Sequence, residues 1–145
     1  MDGMEGGLTV AEGVQVAAKL SEMGIDGVEL SGGMGGARSM NIIPGIRTEQ
    51  DEAYFRPLAK QVRPVTDLPI LLVGGMRSRR IMEEVLRSGD ADFISLCRPL
   101  IAEPDFPNRL RAGTHDRSAC ISGGRCGAEQ AGEGISCKCE IKGRI

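Results

Sequence analysis

"PILLVGGMRSRR", residues 69–80, decides the fold. An apolar run stops at two glycines and passes into arginines and a serine. A hairpin would continue into a second alternating run, and none follows. The next stretch, "SRRIMEEVLRSGDADFISLCRP" (78–99), carries Ile81, Met82, Val85 and Leu86 at helical spacing, then Gly89, then another apolar run. Residues 69–80 are therefore the end of a strand feeding a helix, with Gly74 and Gly75 at the joint.

Working outward, the same alternation repeats. "LTVAEGVQVAAKLSEMG" (8–24) predicts a helix opened by a capping box of Thr9 and Glu12. Val10, Val14, Ala17 and Leu20 share one face, and Gly24 is placed to end it. A short strand is expected from about Gly27 to Ser31, then an irregular glycine-rich loop. "DEAYFRPLAKQV" (51–62) reads as a helix with Phe55, Leu58, Ala59 and Val62 inward; Pro57 fits only a first turn or a kink. Strands follow at Pro69–Val73 and Asp92–Leu96, flanking the helix from about Ser78 to Ser88. A last short helix is expected in "EPDFPNRLRAG" (103–113). The order αβαβαβα implies a parallel sheet covered by helices, and runs such as "ILLV" suit strands buried on both faces.

Residues 1–114 carry this pattern, and 115–145 read as an irregular, cysteine-bearing tail. Three parallel strands leave two open edges, which a complete parallel domain seldom tolerates, so the chain looks like part of something larger. A net charge of −2 gives no reason to expect a nucleic-acid or anionic-membrane partner. The apolar runs are too short to span a bilayer. The acidic start "MDGMEGGLTV" has no apolar signal region and predicts a cytoplasmic protein. Five cysteines, an odd number, do not suggest a disulfide scaffold in a reducing compartment.

Ligands of parallel α/β proteins gather at strand C-termini, here Ser31-Gly32-Gly33, Gly74-Gly75-Met76-Arg77 and Cys97-Arg98-Pro99. Glycines let backbone approach an anion, and the helix starting near Ser78 would aim its free N–H groups at the same place. Alternatively, Gly74 and Gly75 only turn a tight corner, and Arg77, Arg79 and Arg80 form a solvated helix start. Both readings stand on chemistry alone. "SGGMGGAR" (31–38) lacks the G-x-G-x-x-G spacing of a dinucleotide loop and reads as a flexible active-site loop.

Several stretches occur together and in order: "DGMEGGLT", "MGIDGVELSGG", "EAYF", "LPILLVGGMRS", "GDADFISLCRPLIAEPDFPNRLRAG" and "ACIS". In this arrangement the chain closely resembles the C-terminal half of the old yellow enzyme-like NADH:flavin oxidoreductases, which include 2,4-dienoyl-CoA and 2-enoate reductases. The pair VGG-x-R and L-x-R-P-L-I-x-E-P-D is the specific part. The resemblance implies a (β/α)₈ barrel of which this chain holds about strands six to eight. It also implies bound FMN, NAD(P)H as co-substrate, and hydride transfer through the flavin to an activated alkene or similar small molecule. Gly74, Gly75 and Met76 match the loop after strand seven, and Cys97 with Arg98 the loop after strand eight, which grip the FMN phosphate. The family often has Gly where Cys97 stands, and a Cβ there demands an ordinary φ.

The catalytic residues would lie on the first five strands, which have no counterpart here. Tyr54, read as helical, is expected to pack, and His115 to be solvated. Some relatives bind a 4Fe–4S cluster through C-x-x-C and further cysteines. Cys120, Cys126, Cys137 and Cys139 are the candidates here, but Gly123 stands at the second ligand position, which argues against an intact cluster and for free thiols. The competing classes are a non-catalytic half-barrel or assembly module, self-associated or completed by an N-terminal half-barrel, and a phosphate-binding barrel piece without flavin, such as a sugar-phosphate isomerase.

Overall fold

The computed structural model describes Asp2 and residues 5–33, 43–126 and 134–139. Of the glycine-rich loop expected over 32–50, residues 34–42 lie outside the described residues. Helix α1 (Val10–Glu22) opens on the expected box: the Glu12 amide donates to Thr9 Oγ1 at 3.2 Å, and the Thr9 amide to Glu12 Oε2 at 2.8 Å. Strands β1 (Val28–Leu30), β2 (Ile70–Leu72) and β3 (Phe93–Ile94) form one parallel sheet in the order β1-β2-β3. Helices α2 (Arg56–Val62) and α3 (Arg79–Arg87) alternate with them.

Two differences from the expected elements have local causes. Residues 51–62 do not form one helix. Glu49–Asp51 is a 3₁₀ turn, Glu52 is extended, and Ala53 takes a left-handed φ of 54°. Pro57 therefore sits in the first turn of α2, the one place where its missing N–H costs nothing. Tyr54 accordingly lies in a turn, not in a helix. A short helix, α4 (Arg98–Ala102), precedes the expected last helix, α5 (Phe106–Ala112). Five residues are too few to show a period.

The register pairs Val28 with Ile70 and Leu30 with Leu72, which in turn pairs with Ile94. This row faces the helices; Ile70 and Leu72 are fully buried, as are Val85 of α3 and Phe106 of α5. Each such side chain contributes about 1.5–3 kcal/mol by leaving water. The other row, Glu29–Leu71–Phe93, has no covering layer among the described residues, and Phe93 is 57% exposed. The sheet is thus buried on one face here, against the expectation of two, because all the helices pack on the same side.

Polar groups tie the layer together. Arg56 of α2 donates from Nε to Asp90 and from Nη1 to Glu84 of α3, both at 2.6 Å. Asp92 accepts the Ile70 amide at 2.8 Å and Arg63 at 2.5 Å, fixing the start of β2. No helix among the described residues is long and apolar enough to cross a membrane.

Candidate functional site

Because β2 and β3 are adjacent and parallel, the loops that leave them emerge at one edge of the sheet. After β2 the chain turns through Gly74 (φ 134°) and Gly75 (φ 70°), conformations that disfavour any side chain. The Tyr54 amide donates to the Gly74 carbonyl at 3.2 Å. The Tyr54 ring, stacked edge-on against Phe55 with centroids 4.7 Å apart, closes over Gly75. After β3, Cys97 has an ordinary φ of −117° and leads directly into α4.

The two loops meet around a cavity of about 160 Å³, lined by Tyr54, Gly75, Met76, Arg77, Cys97 and Arg98, with Ser122 at its wall. Gly75, Met76, Cys97 and Arg98 are thus brought together as their spacing suggested, whereas Gly74 stands behind the wall with its carbonyl engaged. Pockets enclosing a whole drug-sized ligand measure roughly 300–1,000 Å³. This cavity suits one end of such a ligand.

Among the described residues, the amides of Gly75, Met76, Cys97 and Arg98 donate to no protein group. Arg98 Nη1 reaches the carbonyls of Ile43 at 3.0 Å and Ser122 at 3.5 Å. Arg77 is buried; its Nη1 donates to the Ile46 carbonyl at 2.6 Å, and its Nε has no partner. Burial holds the Arg77 guanidinium below the ordinary arginine value, and Arg117 and Arg98 nearby push the same way, against Cys120 and Glu52. Amides without a partner among the described residues, beside the half-buried Arg98, are donors that an anion could use.

One part of the expected cup is corrected. The amides that lead into α3, and the first amide of the helix itself, are already engaged. Glu52 Oε2 accepts the amides of Arg77 and Ser78, each at 2.8 Å, and the Arg79 amide donates to the Asp116 carbonyl. An internal carboxylate thus sits just ahead of that helix, on the two peptide groups before its first turn.

Sequence reasoning missed Val73, Ser95 and Leu96 at the strand ends, and Tyr54 and Ser122 from other parts of the chain. Tyr54 borders the cavity, and the need of Gly75 for a flat neighbour was the only available signal. Ser122 arrives from the tail with a left-handed φ of 52°, its carbonyl accepting the Gly45 amide at 2.8 Å; no local pattern marks it. His115 is exposed, beside Arg109 at 3.3 Å.

The four tail cysteines lie near one another. The Cys126 thiol is pushed up, first by burial and then by Cys137, Cys120 and Cys139. The Cys139 sulfur packs against Gly123, 2.8 Å from where a Cβ would stand. Among the described residues, no group of three or more His, Cys, Asp or Glu is arranged to hold a metal ion.

The sequence model of the NADH:flavin oxidoreductase / NADH oxidase family matches residues 1–117. An NADH oxidase of Thermoanaerobacter brockii is 32% identical over 120 residues, 82% of this chain and 18% of that protein. Among solved structures, a 2-naphthoyl-CoA reductase superposes over 83% of this chain and 18% of its own, with a TM-score of 0.69 and 24% identity. An old yellow enzyme homologue from Zymomonas mobilis covers 74% of this chain and 27% of its own, with a TM-score of 0.50 and 25% identity. The chain therefore spans about a fifth to a quarter of the length of the proteins it matches. Its parallel sheet and alternating helices are one part of their (β/α)₈ barrel.

Proposed function

The chain belongs to the NADH:flavin oxidoreductase / NADH oxidase family, and from this premise we propose that it forms the phosphate-gripping side of an FMN site. The amides of Gly75, Met76, Cys97 and Arg98 donate to the phosphate oxygens, and the Arg98 guanidinium adds positive charge. Gly74 is a turn residue of the same grip. The observation that carries this reading is the one cavity lined by Gly75, Met76, Cys97 and Arg98, whose amides have no partner among the described residues, beside Arg77, whose buried Nε has no acceptor among them either. Backbone donors survive the presence of a Cβ at Cys97, because its φ is ordinary.

Bound FMN supplies hydride exchange, taking hydride from NAD(P)H and delivering it to an activated alkene or a similar small molecule. The residues of this chain bind and orient the phosphate end, and Tyr54 shields the Gly74–Gly75 turn. The groups that act on the substrate belong to barrel strands outside this chain. The uncovered Glu29–Leu71–Phe93 row and the open edges of β1 and β3 supply the reason. They face the place of the remaining strands, whether those come from the same polypeptide or a partner.

Titration of FMN fluorescence tests the reading. FMN is expected to be quenched saturably, riboflavin to bind at least tenfold more weakly for lack of the phosphate, and inorganic phosphate to compete. Equal binding of FMN and riboflavin overturns it. Protection by a sugar phosphate but not by FMN would favour a barrel piece that uses no flavin.

A further inference from the structure

We propose that Glu52 is the positioning residue of the anion site, the internal carboxylate that sets where a phosphate can be held; the inference rests on the FMN-phosphate reading above. Its side chain is wholly inaccessible to solvent. Oε2 accepts the amides of Arg77 and Ser78 at 2.8 Å each, and Oε1 accepts the Ser78 hydroxyl at 2.7 Å. Arg117 Nη2 lies 3.5 Å from Oε1. The backbone is bent to deliver this carboxylate, since Ala53, the next residue, holds a left-handed φ of 54°. Such a conformation persists in a non-glycine residue only where surrounding contacts over-determine it.

Two consequences follow. First, Glu52 sits just ahead of α3, on the peptide groups of Arg77 and Ser78, so an anion approaching the helix start would meet a buried negative charge at close range. A phosphate is turned away from α3 and toward the amides of Gly75 and Met76, which precede the two peptide groups that Glu52 holds. Second, fixing the Arg77 and Ser78 amides fixes the course of the loop between Gly75 and the helix. Arg77 is then held by the carbonyls of Ile46 and Ser118, with its Nε unpartnered beside the cavity. Glu52 touches no ligand itself. It acts through the loop, across 25 residues of sequence.

Glu52→Gln retains shape, and one oxygen can still accept both amides, but the charge is lost and the NH₂ faces the Arg117 guanidinium in place of a carboxylate oxygen. Ser78→Ala deletes only the 2.7 Å contact. The test is titration of the full chain with FMN, reading the dissociation constant and the number of sites separately, with riboflavin as the control ligand. For E52Q the FMN dissociation constant is expected to rise roughly ten- to hundredfold at full stoichiometry, and for S78A roughly two- to fivefold. A role confined to stability would lower the number of sites and leave the constant unchanged. If E52Q does not fold, S78A decides alone. Wild-type protein that prefers FMN to riboflavin, with variants that keep the wild-type constant, overturns the role of Glu52. Wild-type protein that does not prefer FMN overturns the phosphate reading, and this inference with it.

Discussion

The ring of Tyr54 lies so close to Cα of Gly75 that a Cβ there would meet its Cε1 at 2.8 Å. Gly75 also holds a φ of 70°, so two independent penalties attach to any side chain at this corner.

Gly75→Ala is therefore expected to destabilise the fold by about 2–4 kcal/mol, from left-handed strain and overpacking together. Adding Tyr54→Ala should relieve the steric part and leave the backbone part. Urea unfolding of the single and double variants measures both, and additive losses would show that the ring and the glycine are not coupled.

Cys97 is an exposed thiol at the cavity wall, whereas Cys120 is buried. Alkylation should reach Cys97 first. FMN at ten times its dissociation constant should slow that reaction about tenfold by mass action. Mass spectrometry of the labelled peptides reads it, and an unchanged rate at saturating FMN would place the flavin elsewhere.

Acid should loosen the α2–α3 junction. Burial raises Asp90, but hydrogen bonds from Arg56 and Ser88 outweigh it, leaving the carboxyl below its ordinary 3.8. The Arg56 hydrogen bond likewise holds Glu84 below 4.5. A folded value below the unfolded one gives stability that is present above the unfolded value and lost as pH falls through the folded one. Stability should thus decline from about pH 5 downward. Arg56→Met should cost about 1–3 kcal/mol at pH 7, through two charged hydrogen bonds, and flatten the decline. Denaturant midpoints from pH 7 to pH 3 check the sign.

Phe93 presents an apolar ring on the uncovered face of an edge strand. Phe93→Ser should change stability by no more than about 0.5 kcal/mol, as for exposed positions generally, while lowering any concentration-dependent association. Sedimentation at several concentrations decides, and identical association by both proteins would rule this face out as the contact.

The features legible beforehand were those written in neighbouring residues. The Thr9–Glu12 box closes within one turn, and the period of Ile81, Met82 and Val85 marks α3 without reference to the rest of the chain. Gly74 and Gly75 announced a strand-to-helix joint because few other residues accept their φ values. The expected meeting of the loops after β2 and β3 followed from alternation alone, since parallel strands joined by helices put all their C-terminal ends on one edge.

The break in 51–62 had no such signal. Its apolar spacing is helical, yet the segment unwinds because Glu52 finds its partners at Arg77 and Ser78. Tyr54 borders the cavity only because that unwinding turns it toward Gly75, and Ser122 reaches the wall from a tail without periodicity. The residue order of this chain set its elements, their parallel alternation and the two glycines, because those depend on conformational preference over a few neighbours. The carboxylate ahead of α3, the lining of the cavity and the bare face of the sheet were settled by folding. Each depends on which distant groups satisfy a buried charge or cover an apolar surface.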